Sequence, residues 1–418
     1  MPAAIGKPEV VIIGAGIAGG ALASSLARAG RDVLLLERTL EHKDVVRGEW
    51  IAPWGVEEVK RLGLYELYMA SGGHHLSRHV TYGEEFTREE AEAQVLNLAA
   101  LLPGNLGPLC LGHPRMCELL DAEAVRAGAT LLRGVKHTHV TAATGEGGAP
   151  TITFEHDGVQ HALRPRLVVA ADGRNGVTRQ QVGIPLHEAP QHHWFSGMLV
   201  EDVHGWPSDL QAISTEGDVH ALVFPQSDTR VRVYLGFPTS QRGRFHGPEG
   251  PRKFLEAFAL SSLPNAEAIV RGTPAGPCNV YPNHDSWTDV PHAPGVLLIG
   301  DAAGRNDPIT GQGLSITHRD VRVVRDILLG SSDWSANAFT PYAEERAERM
   351  RRLRFSAAMA SVREAEFGPE AAAKRRRLKL RGPEGAMLTA ATFATMVGPE
   401  NVPAEAFTDA AWAAFMAA

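Results

Sequence analysis

Four apolar runs along the chain predict strands that are buried on both faces. They span residues 10–13, 33–36, 167–171 and 296–299, and each is rich in Val, Ile and Leu. Continuous apolar runs of this length are typical of parallel strands inside an α/β sheet. Between residues 186 and 276 the pattern changes to short segments of alternating polar and apolar residues, such as 221–224 and 230–237. This alternation predicts an antiparallel sheet, one face of which would roof a pocket.

The first apolar run leads into a glycine-rich turn. Gly14, Gly16 and Gly19 stand at GxGxxG spacing, and an apolar helix follows them up to Gly30. In a strand–turn–helix unit these glycines permit a tight turn, close approach of a pyrophosphate and close packing of the helix. Glu37 ends the next strand, where a carboxylate can bind ribose hydroxyls. The complete unit predicts a dinucleotide site, the alternative being a tight turn without a ligand.

The last apolar run leads into a second such turn. Asp301 follows the strand, and Pro308, Gly311 and Gly313 precede a helix that is predicted to end at Gly330. Ligands of open α/β sheets bind at the carboxyl ends of the strands, and the start of a helix attracts negative charge. A reduced flavin is anionic at its pyrimidine edge, whereas NAD carries no comparable group there. Together the two turns favour FAD over NAD as the bound cofactor.

The order of these elements predicts an α/β fold with a Rossmann-like FAD-binding domain, an antiparallel-sheet substrate domain and C-terminal helices. A length of 418 residues agrees with two intertwined domains. The FAD-binding domain is expected to be discontinuous and to comprise residues 1–75, 103–185 and 277–340, with the substrate domain in residues 76–102 and 186–276. Residues 341–418 form a helical region, whose last part is expected either to cap the pocket or to form a dimer contact.

Composition limits the class of protein. A net charge of −7 gives no electrostatic reason to expect nucleic acid or an acidic membrane as a partner. Cys110, Cys117 and Cys278 have neither metal-ligand nor CxxC spacing, so we expect no metal and a reducing compartment. No uncharged stretch reaches the roughly eighteen residues of a membrane span. These features predict a cytoplasmic protein that acts on a small molecule as a monomer or homodimer, without a membrane or nucleic-acid partner.

Four sequence motifs narrow the class further. They are GAGIAG with the pair Glu37–Arg38, RGEW beginning at Arg47, LVVAADGRNGVTRQ with Asp172 and Gly173, and GDAAGRNDPITGQG. In these motifs the chain resembles the class A flavoprotein monooxygenases, the group of para-hydroxybenzoate hydroxylase, polyketide hydroxylases and squalene epoxidase. The matches follow the family order over about the first 330 residues, and the last motif is the most specific.

The resemblance implies a set of residues that hold FAD. Asp301 would hold the ribityl–pyrophosphate region, and Gly313 and Leu314 the pyrimidine edge of the flavin. Pro308 would flank the flavin face where oxygen reacts, while backbone donors from Gly311 onward would stabilise the flavin anion. The expected cofactor contacts are Gly14, Gly16, Gly19, Glu37, Arg38, Arg47, Gly48, Arg115, Asp172, Asp301, Gly313 and Leu314, and the expected catalytic residues are Pro308, Gly311 and Gly313.

Two positions depart from the family pattern. Gly304 stands where members often carry His or a bulky polar residue, and Ser315 stands where they often carry Asn. We expect the first change to widen the site near the flavin. We expect the second to remove an amide side chain that would meet the ring.

The activity that the resemblance implies is oxygen transfer from a reduced flavin. NADH or NADPH would reduce FAD, a flavin C4a-(hydro)peroxide would form with O₂, and its distal oxygen would hydroxylate or epoxidise an aromatic or polyketide-like small molecule. The chain has no second GxGxxG unit, so NAD(P)H would visit the same active site. Three alternatives remain open: a halogenase, although the WxWxIP segment typical of that family is absent, a flavin-dependent double-bond reductase, and a non-catalytic flavin-binding scaffold.

The candidate substrate contacts come from the predicted strand 230–237. Alternation places Arg232 and Tyr234 on one face, where both would contact an oxygen of the substrate. The alternative is that this polar face is solvated, as in many half-exposed antiparallel sheets. His192 and His193 are further candidates, for a general base, although geometry must precede pKa in naming one.

Overall fold

A six-stranded, mainly parallel sheet forms around the strand Val10–Ile13. The computed structural model describes residues 6–46, 48–145 and 148–418. In sheet order the strands are His292–Ala293, Val296–Leu298, Leu167–Ala170, Val10–Ile13, Val33–Glu37 and Thr130–Arg133. Neighbouring strands are parallel, apart from the antiparallel pairing of the edge strand His292–Ala293. The four apolar runs therefore lie side by side, and their carboxyl ends meet at one edge of the sheet.

Both faces of this sheet are covered, as the uninterrupted apolar runs predict. Val10 and Ile12 pack against helices on one face, and Val11 and Ile13 pack against a small antiparallel sheet on the other. The helices are Ile17–Arg28, His113–Arg126 and Gly313–Gly330, and the small sheet comprises Lys136–Thr141, Thr151–His156 and Val159–Leu163.

A second large sheet has eight strands and is mainly antiparallel. In sheet order they are Thr273–Pro274, His193–Glu201, Val231–Phe237, Val219–Pro225, Leu210–Glu216, Arg78–Gly83 and Leu96–Asn97, and Asn279–Asn283 also pairs with His193–Glu201. One face packs on Phe254 and Phe258, and the other face turns towards the cavity described below. The predicted fold class is thereby confirmed. The domain ranges stay a proposal, and the sheet pairing favours a boundary after residue 283 in place of 277.

After residue 339 the chain is mainly helical. The long helix Thr340–Glu364 packs against the helix Gly313–Gly330 and against the segment 390–401. No helix within the described ranges is long and apolar enough to cross a bilayer. The remaining helices are Pro53–Arg61, Tyr65–Met69, Arg88–Glu92, Thr178–Gln181, Gly250–Glu256, Ala266–Val270, Pro369–Leu380, Pro383–Leu388, Ala394–Val397 and Asp409–Ala417. The remaining strands are Trp50–Ile51, His74–His75 and Leu109–Cys110 in one small sheet, and His187–Glu188 and Ser286–Trp287 in another.

Candidate active site

The first glycine-rich turn is built tightly into the parallel sheet. Gly14 has a φ of +99°, and a Cβ atom there would lie 2.5 Å from the carbonyl oxygen of Ala171. A Cβ atom on Gly19 would lie 1.8 Å from the carbonyl oxygen of Gly14, so both positions require glycine for the fold itself. Gly16 differs, because a Cβ atom there would meet no atom within 4 Å. The space beside Gly16 is therefore open, and contact between Gly16 and a pyrophosphate stays a prediction.

The helix Ile17–Arg28 begins with free backbone donors beside an acid. Its N-cap residue is Gly16, no side chain caps it, and its first turn carries no acid. The carboxylate of Glu37 accepts hydrogen bonds from the N–H of Ala15 at 2.8 Å and from the N–H and hydroxyl of Thr39 at 2.8 and 2.7 Å. Burial raises the pKa of Glu37, but these hydrogen bonds outweigh burial and leave the pKa below its ordinary value. A free helix start beside an ionised carboxylate fits the pyrophosphate and ribose of FAD.

The second glycine-rich turn presents a second free helix start. The helix Gly313–Gly330 has no side-chain cap and no acid in its first turn. A Cβ atom on Gly313 would meet nothing within 4 Å, so the space in front of this helix is open. Gly311 has a φ of +66° and turns the chain close to Trp50, whose ring would lie 3.0 Å from a Cβ atom at Gly311. This arrangement fits the flavin end of FAD, since free N–H groups face the region where its anionic edge would lie.

A buried ion-pair network holds the backbone behind this second turn. Asp320 is fully buried and accepts hydrogen bonds from the N–H of Gly300 at 2.9 Å, from Nε of Arg346 at 3.1 Å and from Arg349 at 2.6 Å. Arg346 also donates to three carbonyl oxygens of the loop 300–304, which carries the predicted ribityl contact. Burial raises the pKa of Asp320, but the two guanidinium groups outweigh burial and lower it overall. Arg346 therefore holds the loop 300–304 through its carbonyl oxygens, and the buried charge of Arg346 is balanced by Asp320.

A cavity of about 520 Å³ lies between the second glycine-rich turn and the eight-stranded sheet. Seven predicted site residues line it: Gly48, Asp301, Pro308, Gly311, Gly313, Leu314 and Tyr234. Other aromatic side chains also line the cavity: Trp50, Phe195, Phe224, Tyr281 and Phe393. Residues between 386 and 396 line one side of the cavity. This position agrees with the expectation that the C-terminal stretch caps the pocket. The chamber fits an apolar, ring-bearing ligand beside the flavin region.

Two buried carboxyl groups lie beneath the loop that carries Pro308. Oδ1 of Asp285 accepts hydrogen bonds from the N–H of Asp307 at 2.8 Å and from Asn306 at 2.7 Å, and Oδ1 of Asp307 accepts one from the N–H of Ile309 at 3.0 Å. Burial raises the pKa of Asp285 to about 6. Burial, together with the neighbouring carboxyl group, raises the pKa of Asp307 to about 7. The loop at the flavin region therefore rests on groups that ionise near neutral pH.

We expect the stability of the protein to fall as the pH rises through this range. A carboxyl group with a raised pKa binds its proton more tightly in the folded protein than in the unfolded chain. Its contribution to stability is therefore complete below about pH 4 and is lost as the pH passes about 7. The Arg305 and Arg354 guanidinium groups lie near the pair and limit the loss.

The variant Asp307→Asn keeps an acceptor for the N–H of Ile309 and removes one ionisation. It should match the parent near about pH 4 and exceed its free energy of unfolding by more than about 1 kcal/mol near about pH 8. Urea unfolding of the FAD-loaded protein at both pH values measures the difference, with the exposed Asp326→Asn as control. A parent and an Asp307→Asn variant with the same pH profile would contradict this account.

Several predicted cofactor contacts lie away from the cavity. Arg38 is exposed after the second strand of the parallel sheet, and Arg115 is exposed on its helix and pairs with an acid of the same helix at 3.8 Å. Asp172 accepts hydrogen bonds from the N–H and hydroxyl of Thr178 at 3.1 and 2.8 Å and so closes its own turn. Arg47 lies outside the described residues. Contacts between these four predicted residues and FAD stay predictions.

The strand Val231–Phe237 turns both predicted substrate contacts into the interior, so the solvated-face alternative is wrong. Arg232 is 1 % exposed, and its guanidinium donates to both carboxylate oxygens of Glu49 at 2.8 and 2.6 Å and to Asp44 at 2.6 Å. Of these side chains, Tyr234 and Glu49 line the cavity and Arg232 does not. Arg232 therefore ties a neighbouring loop to the sheet, and a contact between Arg232 and a substrate stays a prediction. Tyr234 stays a candidate contact.

His192 and His193, the two candidates for a general base, are not among the described residues that line the cavity. His193 is fully buried, and its Nε2 is hydrogen-bonded to Asn283 at 2.8 Å. Burial lowers the pKa of His193 to about 2, and burial also lowers the pKa of His192. Neither ring is placed to take a proton from a ligand in the cavity.

Packing explains both departures from the family pattern. Gly304 has a φ of +106°, and a Cβ atom there would lie 2.5 Å from the carbonyl oxygen of Ser286. Ser315 is fully buried and accepts a hydrogen bond from the N–H of Ala52 at 3.0 Å. A Cβ atom on Gly55 would lie 2.2 Å from Oγ of Ser315, so a larger side chain at 315 would clash there. Gly304 thus serves close packing of the backbone in place of the expected widening of the site.

The eight-stranded sheet forms the roof of the cavity. Sequence reasoning missed four polar residues of this roof: His79, Thr81, Gln211 and His220. They lie on three adjacent strands of the eight-stranded sheet. The available signal was the alternation that places His79 and Thr81 on the same face of one strand. Alternation does not say which face turns inward, so it was insufficient to select them.

Together, the fold and the site define a flavin-dependent oxidoreductase, because two free helix starts, an acid at a strand end and an apolar chamber meet along one sheet edge. Comparison with known families agrees. Residues 7–356 match the family described as FAD binding domain, and the chain belongs to this family, that of the para-hydroxybenzoate hydroxylase-like class A flavin monooxygenases. The predicted family and the predicted cofactor FAD are thereby confirmed.

Individual relatives are distant. The chain is 25 % identical to squalene epoxidase 3 of Arabidopsis thaliana over 350 residues, which cover 77 % of this chain and 60 % of that protein. The fold is similar to that of p-nitrophenol 4-monooxygenase PnpA from Pseudomonas putida DLL-E4, with a TM-score of 0.75, 20 % identity, and coverage of 94 % of this chain and 96 % of that one. It is equally similar to CmlS, a flavin-dependent halogenase, with a TM-score of 0.74, 18 % identity, and coverage of 93 % and 73 %. The fold alone therefore does not choose between oxygenation and halogenation.

Proposed function

We propose that this protein is a monooxygenase that uses FAD, NAD(P)H and O₂ to hydroxylate or epoxidise an aromatic or polyketide-like small molecule. The observation that carries the proposal is the cavity, which joins the second glycine-rich turn to an aromatic roof. Pro308 and Gly313 form one side of this chamber, and Tyr234 and Phe224 form part of the other. A ring-bearing substrate would thus lie between the flavin region and aromatic side chains.

The residues of the chain would act by holding, orienting and excluding water. When bound and reduced, FAD supplies activated oxygen derived from O₂. Backbone N–H groups at Gly313 and Leu314 would hold its negative edge as fixed donors. The aromatic walls and residues 386–396 would keep water from the reacting centre and orient the substrate. Catalysis then needs no reactive side chain beyond these positions.

The biological setting belongs to the same proposal. A net charge of −7 and three cysteines without ligand spacing support a cytoplasmic protein without a nucleic-acid or membrane partner. We propose that it acts as a monomer or homodimer. NADH and NADPH are both retained as reductants.

Turnover with isotopically labelled O₂ tests the proposed reaction. The FAD-loaded protein is mixed with NADH or NADPH and a panel of phenols and aryl alkenes, and products are examined by mass spectrometry. We expect substrate to stimulate NAD(P)H consumption and one labelled oxygen atom to appear in the product. A reduced product without label would favour the double-bond reductase, and a product halogenated in the presence of halide would favour the halogenase. Bound flavin that neither nucleotide reduces would favour the non-catalytic scaffold.

A further inference from the structure

His220 is held at the cavity roof by a hydrogen bond whose direction is fixed. The hydroxyl of Thr215 donates to the carbonyl oxygen of Glu364 at 3.0 Å. Its single hydrogen is then used, so Oγ1 of Thr215 accepts a hydrogen bond from Nδ1 of His220 at 2.9 Å. Burial lowers the pKa of His220 to about 4, so near neutral pH the ring is uncharged and carries its proton on Nδ1. Nε2 of His220 is therefore left with a lone pair as an acceptor.

This acceptor lies in a part of the cavity that its own strand lines with apolar side chains and that Arg363 and Glu364 also border. His220, Leu222 and Phe224 alternate on the strand Val219–Pro225, and all three line the cavity. Among the described residues, Nδ1 is the only atom of the His220 ring that forms a hydrogen bond, so Nε2 has no partner there. A ligand that brings a donor to this atom satisfies it, whereas a ligand without one leaves a desolvated acceptor unpaired.

A second chain of hydrogen bonds on the adjacent strands ends in a donor. The indole Nε1 of Trp50, which can only donate, gives its hydrogen to Oε1 of Gln211 at 2.8 Å. The amide nitrogen of Gln211 therefore donates to Nδ1 of His79 at 3.2 Å. Burial lowers the pKa of His79 to about 4, so its ring is neutral, carries its proton on Nε2 and donates to the hydroxyl oxygen of Thr81 at 3.1 Å. The hydroxyl hydrogen of Thr81 is left to donate, and all four side chains line the cavity.

We propose that His220 and Thr81 are the acceptor and the donor that orient the substrate, with Thr215 as the positioning residue for His220. The substrate is then an uncharged ring compound that brings a hydroxyl or N–H group to His220 and an oxygen acceptor to Thr81. The charged groups near His220 are Glu364, Arg375 and Arg363. Glu364 pairs with Arg363, and Arg375 pairs with Glu85, so these charges are balanced within the protein, which favours an uncharged ligand. This inference rests on the proposed function and names the substrate class of the same site.

Matched pairs of probes test the acceptor role. The pairs are 3-nitrophenol with 3-nitroanisole, 1-naphthol with 1-methoxynaphthalene, and 4-phenylphenol with 4-methoxybiphenyl. Each dissociation constant is measured from the change that the probe causes in the absorbance of bound FAD. At least one hydroxyl compound should bind the parent about tenfold or more tightly than its methyl ether. His220→Phe should bring this ratio to about one without weakening the ether, and His220→Gln, which retains an amide acceptor, should restore part of it.

Two further variants test the rest of the arrangement. Thr215→Val removes the group that fixes the proton on Nδ1, so the hydroxyl-to-ether ratio should fall while His220 keeps its ring. Thr81→Val should weaken the two nitro compounds, which carry an oxygen acceptor, and leave 4-phenylphenol unchanged. The control is His139→Phe, because His139 is exposed on the small antiparallel sheet.

The outcomes separate this inference from the proposed function. If the FAD-loaded parent binds no hydroxyl probe, or if its ratio survives in His220→Phe, the inference is overturned and the oxygenation assay is unaffected. A Thr81→Val variant that weakens all probes alike, or none, overturns the donor role. If NAD(P)H does not reduce the flavin, the proposed function fails, whereas the probe ratios still decide the roles of His220 and Thr81.

Discussion

Replacing Asp320 by alanine should lower the free energy of unfolding by about 3–5 kcal/mol and weaken FAD binding. Asp320 is fully buried and pairs with Arg346 and with Arg349, which are themselves 2 % and 3 % exposed, and Arg349 also pairs with Glu345. Its removal leaves the buried guanidinium of Arg346 without a carboxylate partner, while Arg349 retains Glu345. It also frees the N–H of Gly300, at the base of the loop that carries Asp301. The loss therefore reaches the cofactor region as well as the core.

Two comparison variants make the result specific to the buried charge. Asp320→Asn retains an oxygen acceptor for Gly300 but removes the charge and one of the two acceptor oxygens, so it should fall between the parent and Asp320→Ala. Asp326 lies on the same helix and pairs with Arg322 and Arg325 near the surface, so Asp326→Ala should cost less than about 1 kcal/mol. Urea unfolding at saturating FAD and the FAD retained after gel filtration measure both effects. If Asp320→Ala proves as mild as Asp326→Ala, the network does not support the loop.

The parallel sheet was predictable from sequence because its signals are local. The strand predicted at 10–13 is observed at Val10–Ile13, and those predicted at 33–36 and 296–299 are observed at Val33–Glu37 and Val296–Leu298. Apart from the terminal Glu37, each such strand is apolar along its whole length because both faces are covered. The glycine spacing then marks the turn, since Gly14 and Gly19 leave no room for any other residue. Neither signal depends on knowing a distant partner.

The substrate side was less predictable because its residues are defined by distant partners. When the strand is considered alone, the charge of Arg232 suggests that this residue is exposed. In the folded protein Glu49, which lies 183 residues earlier in the chain, pairs with Arg232 in the interior. The acceptor state of His220 depends on Thr215 and on the backbone carbonyl of Glu364, which approaches from a helix 149 residues after Thr215. Periodicity assigns residues to faces. It does not reveal which charges are paired or which tautomer a buried ring adopts.

Replacing Gly16 by valine should leave the fold intact and weaken FAD binding roughly a hundredfold, because the new side chain would occupy the space of the pyrophosphate. Gly16 has a φ of −73° and a ψ of −169°, which valine adopts readily, and a Cβ atom there would meet no atom within 4 Å. The only loss of folding stability that we expect from this change arises because valine is a less suitable N-cap residue than glycine. Thermal unfolding of the apoprotein and FAD titration by flavin fluorescence measure the two effects separately.

Substitutions at two other glycines separate an effect on FAD binding from an effect on the fold. Gly19→Ala should destabilise the apoprotein itself, because its Cβ atom would lie 1.8 Å from the carbonyl oxygen of Gly14. Gly243→Val is the matched control, since this exposed glycine also has open space around it but lies far from both glycine-rich turns in the chain. Parent-like FAD affinity in Gly16→Val would exclude the pyrophosphate from the first turn. Loss of FAD with an unchanged apoprotein would instead show that Gly16 is kept small for the cofactor, whereas Gly14 and Gly19 are kept small for the sheet and its helix.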